Sequence, residues 1–256
     1  MPTFLQGDTL FAGDSMTVNL PPFVKVDGVK RMVAKGGIPA SGNFVFPGLL
    51  QMLQASEGQA ALAASKNMVV LIGTNDIASG RSAETIFKTI TDIWALGKAR
   101  GVRVIALTIP PAKGYSGFAS NFDAINAKRK NINASILASG IPDAVIDQDK
   151  LLGSPGDPDR LASAFDGGDH LHPRKDAHGA ALTTALPLAI TGVPLVPKTP
   201  SQALVVPTES FPWTMLFVLV GIGVGGTILL ARKHSGLPLL PDFRAVKAAL
   251  RNLTHT

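Results

Sequence analysis

Three short segments of the 256-residue chain carry side chains that together can supply a nucleophile, a general base and a carboxylate to orient it. Near the start stands Gly13-Asp14-Ser15-Met16, far downstream stands Asp169-His170-Leu171-His172-Pro173, and between them lies Gly73-Thr74-Asn75-Asp76. A serine hydroxyl is a weak nucleophile until an adjacent base takes its proton. Histidine can serve as that base near neutral pH, and a carboxylate beside it orients the ring and stabilises the imidazolium. The histidine inventory narrows the choice, because residues 1–191 contain only His170, His172 and His178. Asp169 and His172 are three apart, so on a turn or at a helix start they share a side. His170 adjoins Asp169 and points elsewhere, and His178 falls on the helix that follows. Ser15 is therefore read as nucleophile, His172 as general base and Asp169 as the group that orients it. Asn75 carries a side-chain amide that can donate to a developing oxyanion.

The elements that must hold these residues follow from the apolar pattern. Thr9–Gly13, Arg31–Lys35, Met68–Gly73, Val102–Thr108 and Ala144–Asp147 are short apolar runs, as expected of strands buried on both faces of a parallel sheet. Between them lie helical stretches. Ser82–Arg100 carries Ile86, Ile90, Ile93 and Trp94 at helical spacing, with Ser82 as N-cap. Ala119–Ser139 places Phe122, Ile125, Ile132 and Ile136 on one side and the run Lys128-Arg129-Lys130 mostly elsewhere. Pro173–Ala189 reads as the last helix, with Pro173 near its first turn. Alternation of strand and helix predicts a doubly wound α/β domain, in which function collects at the carboxyl ends of the strands. Ser15 follows the first strand and Asn75 the third, which places both on that rim.

Composition excludes several alternatives. The chain has no cysteine, so it has no disulfide, thiolate nucleophile or thiolate-held metal. Half of its net charge of +6 falls after residue 207. The basicity therefore belongs largely to the tail, and with no basic patch interleaved with aromatics it does not argue for nucleic acid. Residues 1–11 show no basic segment followed by an apolar run, so no cleavable signal peptide is expected there.

Together the three segments resemble the SGNH (GDSL-type) hydrolase superfamily, over roughly residues 8–190. Gly13-Asp14-Ser15-Met16 is similar to its first block, with methionine where leucine is usual. Gly73-Thr74-Asn75-Asp76 matches its third block closely. Asp169-His170-Leu171-His172-Pro173 matches its fifth, preceded by Phe165-Asp166-Gly167-Gly168. The second block is the weak one: the family needs a glycine whose N–H joins the oxyanion hole, and Gly36-Gly37 follow the second strand, Gly37 being preferred to Gly36. The resemblance implies a flavodoxin-like three-layer α/β/α domain with a parallel sheet of about five strands. It also implies a serine-dependent acyl transfer with Ser15, Gly37 and Asn75 around the oxyanion and neither metal nor cofactor. The Gly-x-Ser-x-Gly elbow of α/β-hydrolases does not occur at Ser15, which disfavours that related fold. The expected substrate is an acyl ester, namely an acetyl or other short acyl ester of carbohydrate or cell-envelope glycan. The alternatives are a lipase or lysophospholipase, and a non-catalytic glycan- or membrane-binding protein on a hydrolase scaffold.

The C-terminal quarter has a different character. Residues 1–191 are expected to form the catalytic domain and residues 192–212 a linker, whose Pro194, Pro197, Pro200, Pro207 and Pro212 favour an extended spacer. Residues 213–231 carry no charge and, at about 1.5 Å rise each, would span roughly 28 Å as a transmembrane helix. Trp213 and Arg232-Lys233-His234 flank the span as interfacial anchors. Gly221 and Gly225 form a GxxxG pair that can pack two such helices into a homodimer. Residues 232–256 form a tail in which Phe243, Val246, Leu250 and Leu253 share one helical stripe and Arg244, Lys247 and Arg251 another, a pattern suited to an anionic lipid surface. The expected location is a single-pass membrane protein. Basic residues after the span argue for a cytoplasmic C-terminus, whereas export of a domain of this size without a signal peptide argues for the opposite side, or for a viral or phage membrane.

Overall fold

The computed structural model describes residues 4–42 and 47–191; the expected linker, membrane span, glycine pair and basic tail lie outside the described residues. Five parallel strands form the central sheet: β1 Thr9–Gly13, β2 Lys30–Ala34, β3 Asn67–Leu71, β4 Arg103–Leu107 and β5 Ala144–Ile146. Their order across the sheet is β2-β1-β3-β4-β5. The register is unbroken between β1 and β3, with Thr9 opposite Asn67 and Gly13 opposite Leu71. The chain winds one way from β1 to β2 and the other way from β3 onward, so the reversal falls between β1 and β3, where ligands of such sheets bind.

The central strands β1, β3 and β4 read as continuous apolar runs because each feeds two cores, whereas β2 at the edge has no buried residue and leaves Lys30 and Met32 exposed. Leu10 and Ala12 of β1, Met68 and Val70 of β3, and Val104 and Ala106 of β4 face one core. That core is closed by α1 Leu49–Gln54, α2 Ser56–Ala63, α4 Ala83–Ala99 and α5 Phe122–Ala138. The alternate residues Phe11, Val69, Leu71, Ile105 and Leu107 face the second core, closed by Leu182 and Leu186 of α7, Lys175–Thr191. Two short helices complete the set: α3 Thr74–Ala78 directly after β3 and α6 Gln148–Leu152 after β5. Among the described residues no helix is long and apolar enough to cross a membrane.

Two sequence expectations are corrected. Pro173 does not open the last helix; it bridges to Asp166, while Gly167 N–H donates to His172 O and Arg174 N–H to Phe165 O. Backbone pairing holds residues 172–174 extended, and the helix begins at Lys175. Arg129, which the sequence places in a basic run mostly away from the apolar side of its helix, is 3% exposed. Its guanidinium pairs with Asp149 and Asp159 (3.1 Å to the latter) and with Asn126 Oδ1 at 2.9 Å, so the buried cation is fully partnered.

Gly13 shows how tightly the rim is built. A Cβ there would lie 2.2 Å from the Leu71 carbonyl oxygen and 2.2 Å from Thr17 Oγ1. Neither the sheet backbone nor the turn carrying Ser15 can yield without losing its partners. Gly13→Ala should therefore cost about 3 kcal/mol or more, as overpacking against backbone does. Urea unfolding of the wild type and the variant would measure the loss.

Candidate active site

The chain leaves β1 at Gly13 and turns at once. The N–H groups of Thr17 and Val18 donate to Asp14 O at 3.0 and 3.1 Å, a single helical turn that raises Ser15 at the carboxyl end of the strand. From the other side of the sequence, the loop before α7 brings in His172. Its Nε2 lies 2.8 Å from Ser15 Oγ, and its Nδ1 lies 2.6 Å from Asp169 Oδ2. Asp169 is itself fixed, since its Oδ1 accepts the N–H groups of Leu171 (3.0 Å) and His172 (2.8 Å). Burial would raise this carboxyl, but the imidazole and the two backbone donors outweigh it and bring it down to about 2. Asp169 is therefore an anion at neutral pH, and an anion at Nδ1 favours the tautomer with the proton there, leaving Nε2 free to accept from the serine. A hydroxyl, an imidazole and a carboxylate thus stand in one hydrogen-bonded line.

The other two histidines are placed apart. His170 adopts φ +63° and turns its Nδ1 to Asp166, whose Oδ1 also accepts the His170 N–H at 3.1 Å. This second acid–histidine pair was not legible in the sequence, because it depends on a turn in which His170 itself, as well as Gly168, takes a positive φ. His178 is buried in α7, and burial chiefly, with the nearby Lys175 cation, pushes its pKa down to about 3. It is a neutral core residue.

Asn75 sits in the first turn of α3. Its Nδ2 donates to the Ile38 carbonyl at 3.0 Å and approaches Asp14 Oδ2 at 3.5 Å. The first bond fixes the amide; the second contact is at the limit of hydrogen bonding, so that hydrogen remains available to a substrate oxygen. Asp76, next in line, is fully buried, accepts the Ala40 N–H at 2.7 Å and pairs with Arg81 at 2.8 Å. It fastens the loop after β2 to the site. Of the two glycines there, Gly36 is the one beside the serine: a Cβ on it would stand 3.9 Å from Ser15 Cβ. Gly37, at φ +75°, has nothing within 4 Å of its own Cβ position.

Asp14 is 1% exposed, directly beneath the serine turn. Its Oδ1 accepts the Met16 N–H at 3.0 Å. Burial raises its pKa to about 6, against the pull of that N–H, His172 and Lys175, while Asp76 pushes the same way as burial. A carboxyl raised on folding gives stability that is complete below its unfolded value of 3.8 and is lost as pH rises through about 6. Asp14→Asn removes that loss and keeps an acceptor for Met16. It should raise stability at pH 8 by on the order of 3 kcal/mol. The difference should vanish as pH falls from about 6 towards 4, and chemical denaturation across that range measures it. Among the described residues no group of three or more His, Asp or Glu side chains is placed to hold a metal ion.

A serine at the switch point of a doubly wound sheet, with an imidazole on its hydroxyl, marks a serine hydrolase of the flavodoxin-like kind. Residues 11–180 match the model of the GDSL-like lipase/acylhydrolase family, and the chain belongs to that family and is a serine ester hydrolase. Solved structures share the fold. A GDSL-like lipase of Bacteroides thetaiotaomicron superposes with a TM-score of 0.54 at 21% identity, over 72% of this chain and 88% of that one. A candidate acylhydrolase of Bacteroides fragilis gives 0.53 at 23% identity, over 72% and 86%. A lipolytic G-D-S-L family protein of Veillonella parvula gives 0.50 at 17%, over 71% and 97%. No curated protein matches the sequence.

Proposed function

We propose that this chain is a membrane-anchored esterase in which Ser15, His172 and Asp169 form the catalytic triad, releasing acetyl or other short acyl groups from carbohydrate or cell-envelope glycan. The observation that carries the catalytic part is the 2.8 Å contact between Ser15 Oγ and His172 Nε2. Ser15 Oγ attacks the ester carbonyl while His172 Nε2 takes its proton. The oxyanion is held by the Ser15 N–H, the Asn75 amide and an N–H from the Gly36-Gly37 turn. Gly37 is favoured there by the sequence pattern and Gly36 by proximity to the serine. His172 returns the proton to the leaving alcohol, the acyl-enzyme forms, and water activated by the same imidazole cleaves it. Asn75→Ala should lower kcat about 10²–10³-fold with KM little changed, as loss of one oxyanion donor does; steady-state kinetics on a chromogenic ester checks it.

The short-acyl reading rests on the family resemblance and not on a shaped pocket: the small recess beside Thr74, bounded by Ile77, Ile109, Pro110 and Phe118, is not lined by Ser15, Asn75 or His172. Support for the anchor comes from the uncharged residues 213–231 between Trp213 and Arg232-Lys233.

The test uses the full chain in detergent. It should be labelled by a fluorophosphonate and hydrolyse chromogenic esters with activity falling as the acyl group lengthens. A folded chain inert to all of these overturns the esterase reading, and a preference for long acyl groups replaces it with the lipase reading. A full-length chain that stays soluble without detergent or lipid overturns the anchor. Protease accessibility of the domain in intact membranes then assigns its side.

A further inference from the structure

We propose that Lys175 is a positioning residue for the nucleophile: its ammonium group clamps the Ser15 turn, with Asp14 beneath it, to the helix that follows His172. The inference rests on the reading of Ser15 and His172 as the reacting pair. Lys175 is the first residue of α7, three positions after His172. Its Nζ donates to the carbonyl oxygens of Ser15 at 2.9 Å and Met16 at 2.6 Å, contacts that span 160 and 159 residues. One helix start therefore delivers both the imidazole to the serine hydroxyl and a cation to the serine backbone. The distance between Ser15 Oγ and His172 Nε2 is set from two sides by the same segment.

A lysine is a costly choice for this place if packing is its only task. The ammonium is half-buried, and burial chiefly lowers its pKa, with Asp14 pulling it back. Both of its direct acceptors are neutral carbonyls, and taking a charge from water to such partners is unfavourable without a nearby counter-charge. Asp14 is that counter-charge. It lies under the same turn, and its own direct donors, Met16 N–H and the distant Asn75 amide, are neutral. The buried carboxylate and the half-buried ammonium thus act on each other through space, with the serine turn between them. The other charged or titratable groups acting on Asp14 are His172 from the loop before α7 and Asp76 from α3, while Lys175 also acts on His178 further along α7.

The two roles separate by substitution. Lys175→Met removes donor and charge; Lys175→Gln keeps a donor without the charge; Lys175→Arg keeps both. Lys175→Met should lower kcat about 10–100-fold with KM within about twofold, since the clamp aligns reacting atoms rather than binding substrate. Removing the cation makes Asp14 hold its proton more tightly. Ionised Asp14 holds the Met16 N–H under the serine turn more firmly than the neutral acid does, so the acid limb of kcat/KM should move to higher pH, by about half a unit to one unit, in both Lys175→Met and Lys175→Gln. Lys175→Gln should keep more of kcat, and Lys175→Arg should restore the wild-type limb. In an Asp14→Asn background, Lys175→Met should leave the limb where it is. These measurements are made on the full chain in detergent, with circular dichroism to show that each variant is folded. If Lys175→Met fails to fold, Lys175→Gln carries the same comparison. An unmoved acid limb in the Met and Gln variants overturns the proposal, as does a limb that still moves when Asp14 is Asn. Wild type that is not labelled by a fluorophosphonate defeats the underlying esterase reading; labelled wild type with indifferent Lys175 variants defeats only this inference.

Discussion

Ser15→Ala should lower kcat on a short acyl ester by about 10⁶-fold and abolish fluorophosphonate labelling, while leaving the unfolding free energy within about 1 kcal/mol of wild type. The size of the rate loss follows from what the hydroxyl does. Without it no acyl-enzyme can form, and the imidazole at 2.8 Å has nothing to deprotonate but water. A residual acceleration of about 10³–10⁴ over solution should persist, because the oxyanion donors still bind the transition state. Stability is spared because the hydroxyl is only partly buried and its partner His172 is 36% exposed, so water replaces the lost contact. Paired kinetics and denaturation on the same preparations check both halves. A variant retaining activity within tenfold of wild type would show that another group, not Ser15, accepts the acyl chain.

Much of this site was legible in the sequence, for identifiable reasons. The five strands fall within one or two residues of the apolar runs: β1, β3 and β4 are legible because a strand feeding two cores is apolar at nearly every position, and their shortness separates them from helices, whereas β2 at the edge leaves Lys30 and Met32 exposed. Ser82 caps α4 as expected, its Oγ accepting from Thr85 N–H at 3.2 Å. His172 could be chosen over His170 because an imidazole one residue from a carboxylate cannot face it, and the structure turns His170 to Asp166 instead. What escaped the sequence has a common character: links between side chains and distant backbone. Lys175 reaches the carbonyls of Ser15 and Met16, and Asp76 reaches the N–H of Ala40. A backbone carbonyl leaves no mark in residue type, so nothing in the pattern Pro173-Arg174-Lys175 distinguishes a clamp from a solvated lysine. The same holds for Arg129, whose carboxylate partners Asp149 and Asp159 are brought to it only by the fold.

The orienting carboxylate gives the second large effect. Asp169→Asn should reduce kcat about 10⁴-fold while changing KM little. An asparagine can keep its oxygen on the N–H groups of Leu171 and His172, so the turn survives. Its amide nitrogen then replaces Oδ2 opposite His172 Nδ1, now 2.6 Å away. Two donors cannot face each other, so the ring places its proton on Nε2, where it meets Ser15 Oγ as a donor and cannot act as base. Stability should respond with a definite sign. The Asp169 carboxyl is held down at about 2 in the folded chain, so its contribution is present above the unfolded value of 3.8 and is lost as pH falls towards 2. Any gap in Tm between wild type and Asp169→Asn should thus be seen at pH 7 and close on acidification, and it should be small because the side chain is 47% exposed. Kinetics at pH 7 and thermal unfolding from pH 7 to pH 2 measure the two together. If kcat stays within tenfold of wild type, the ring of His172 is being oriented by something other than Asp169.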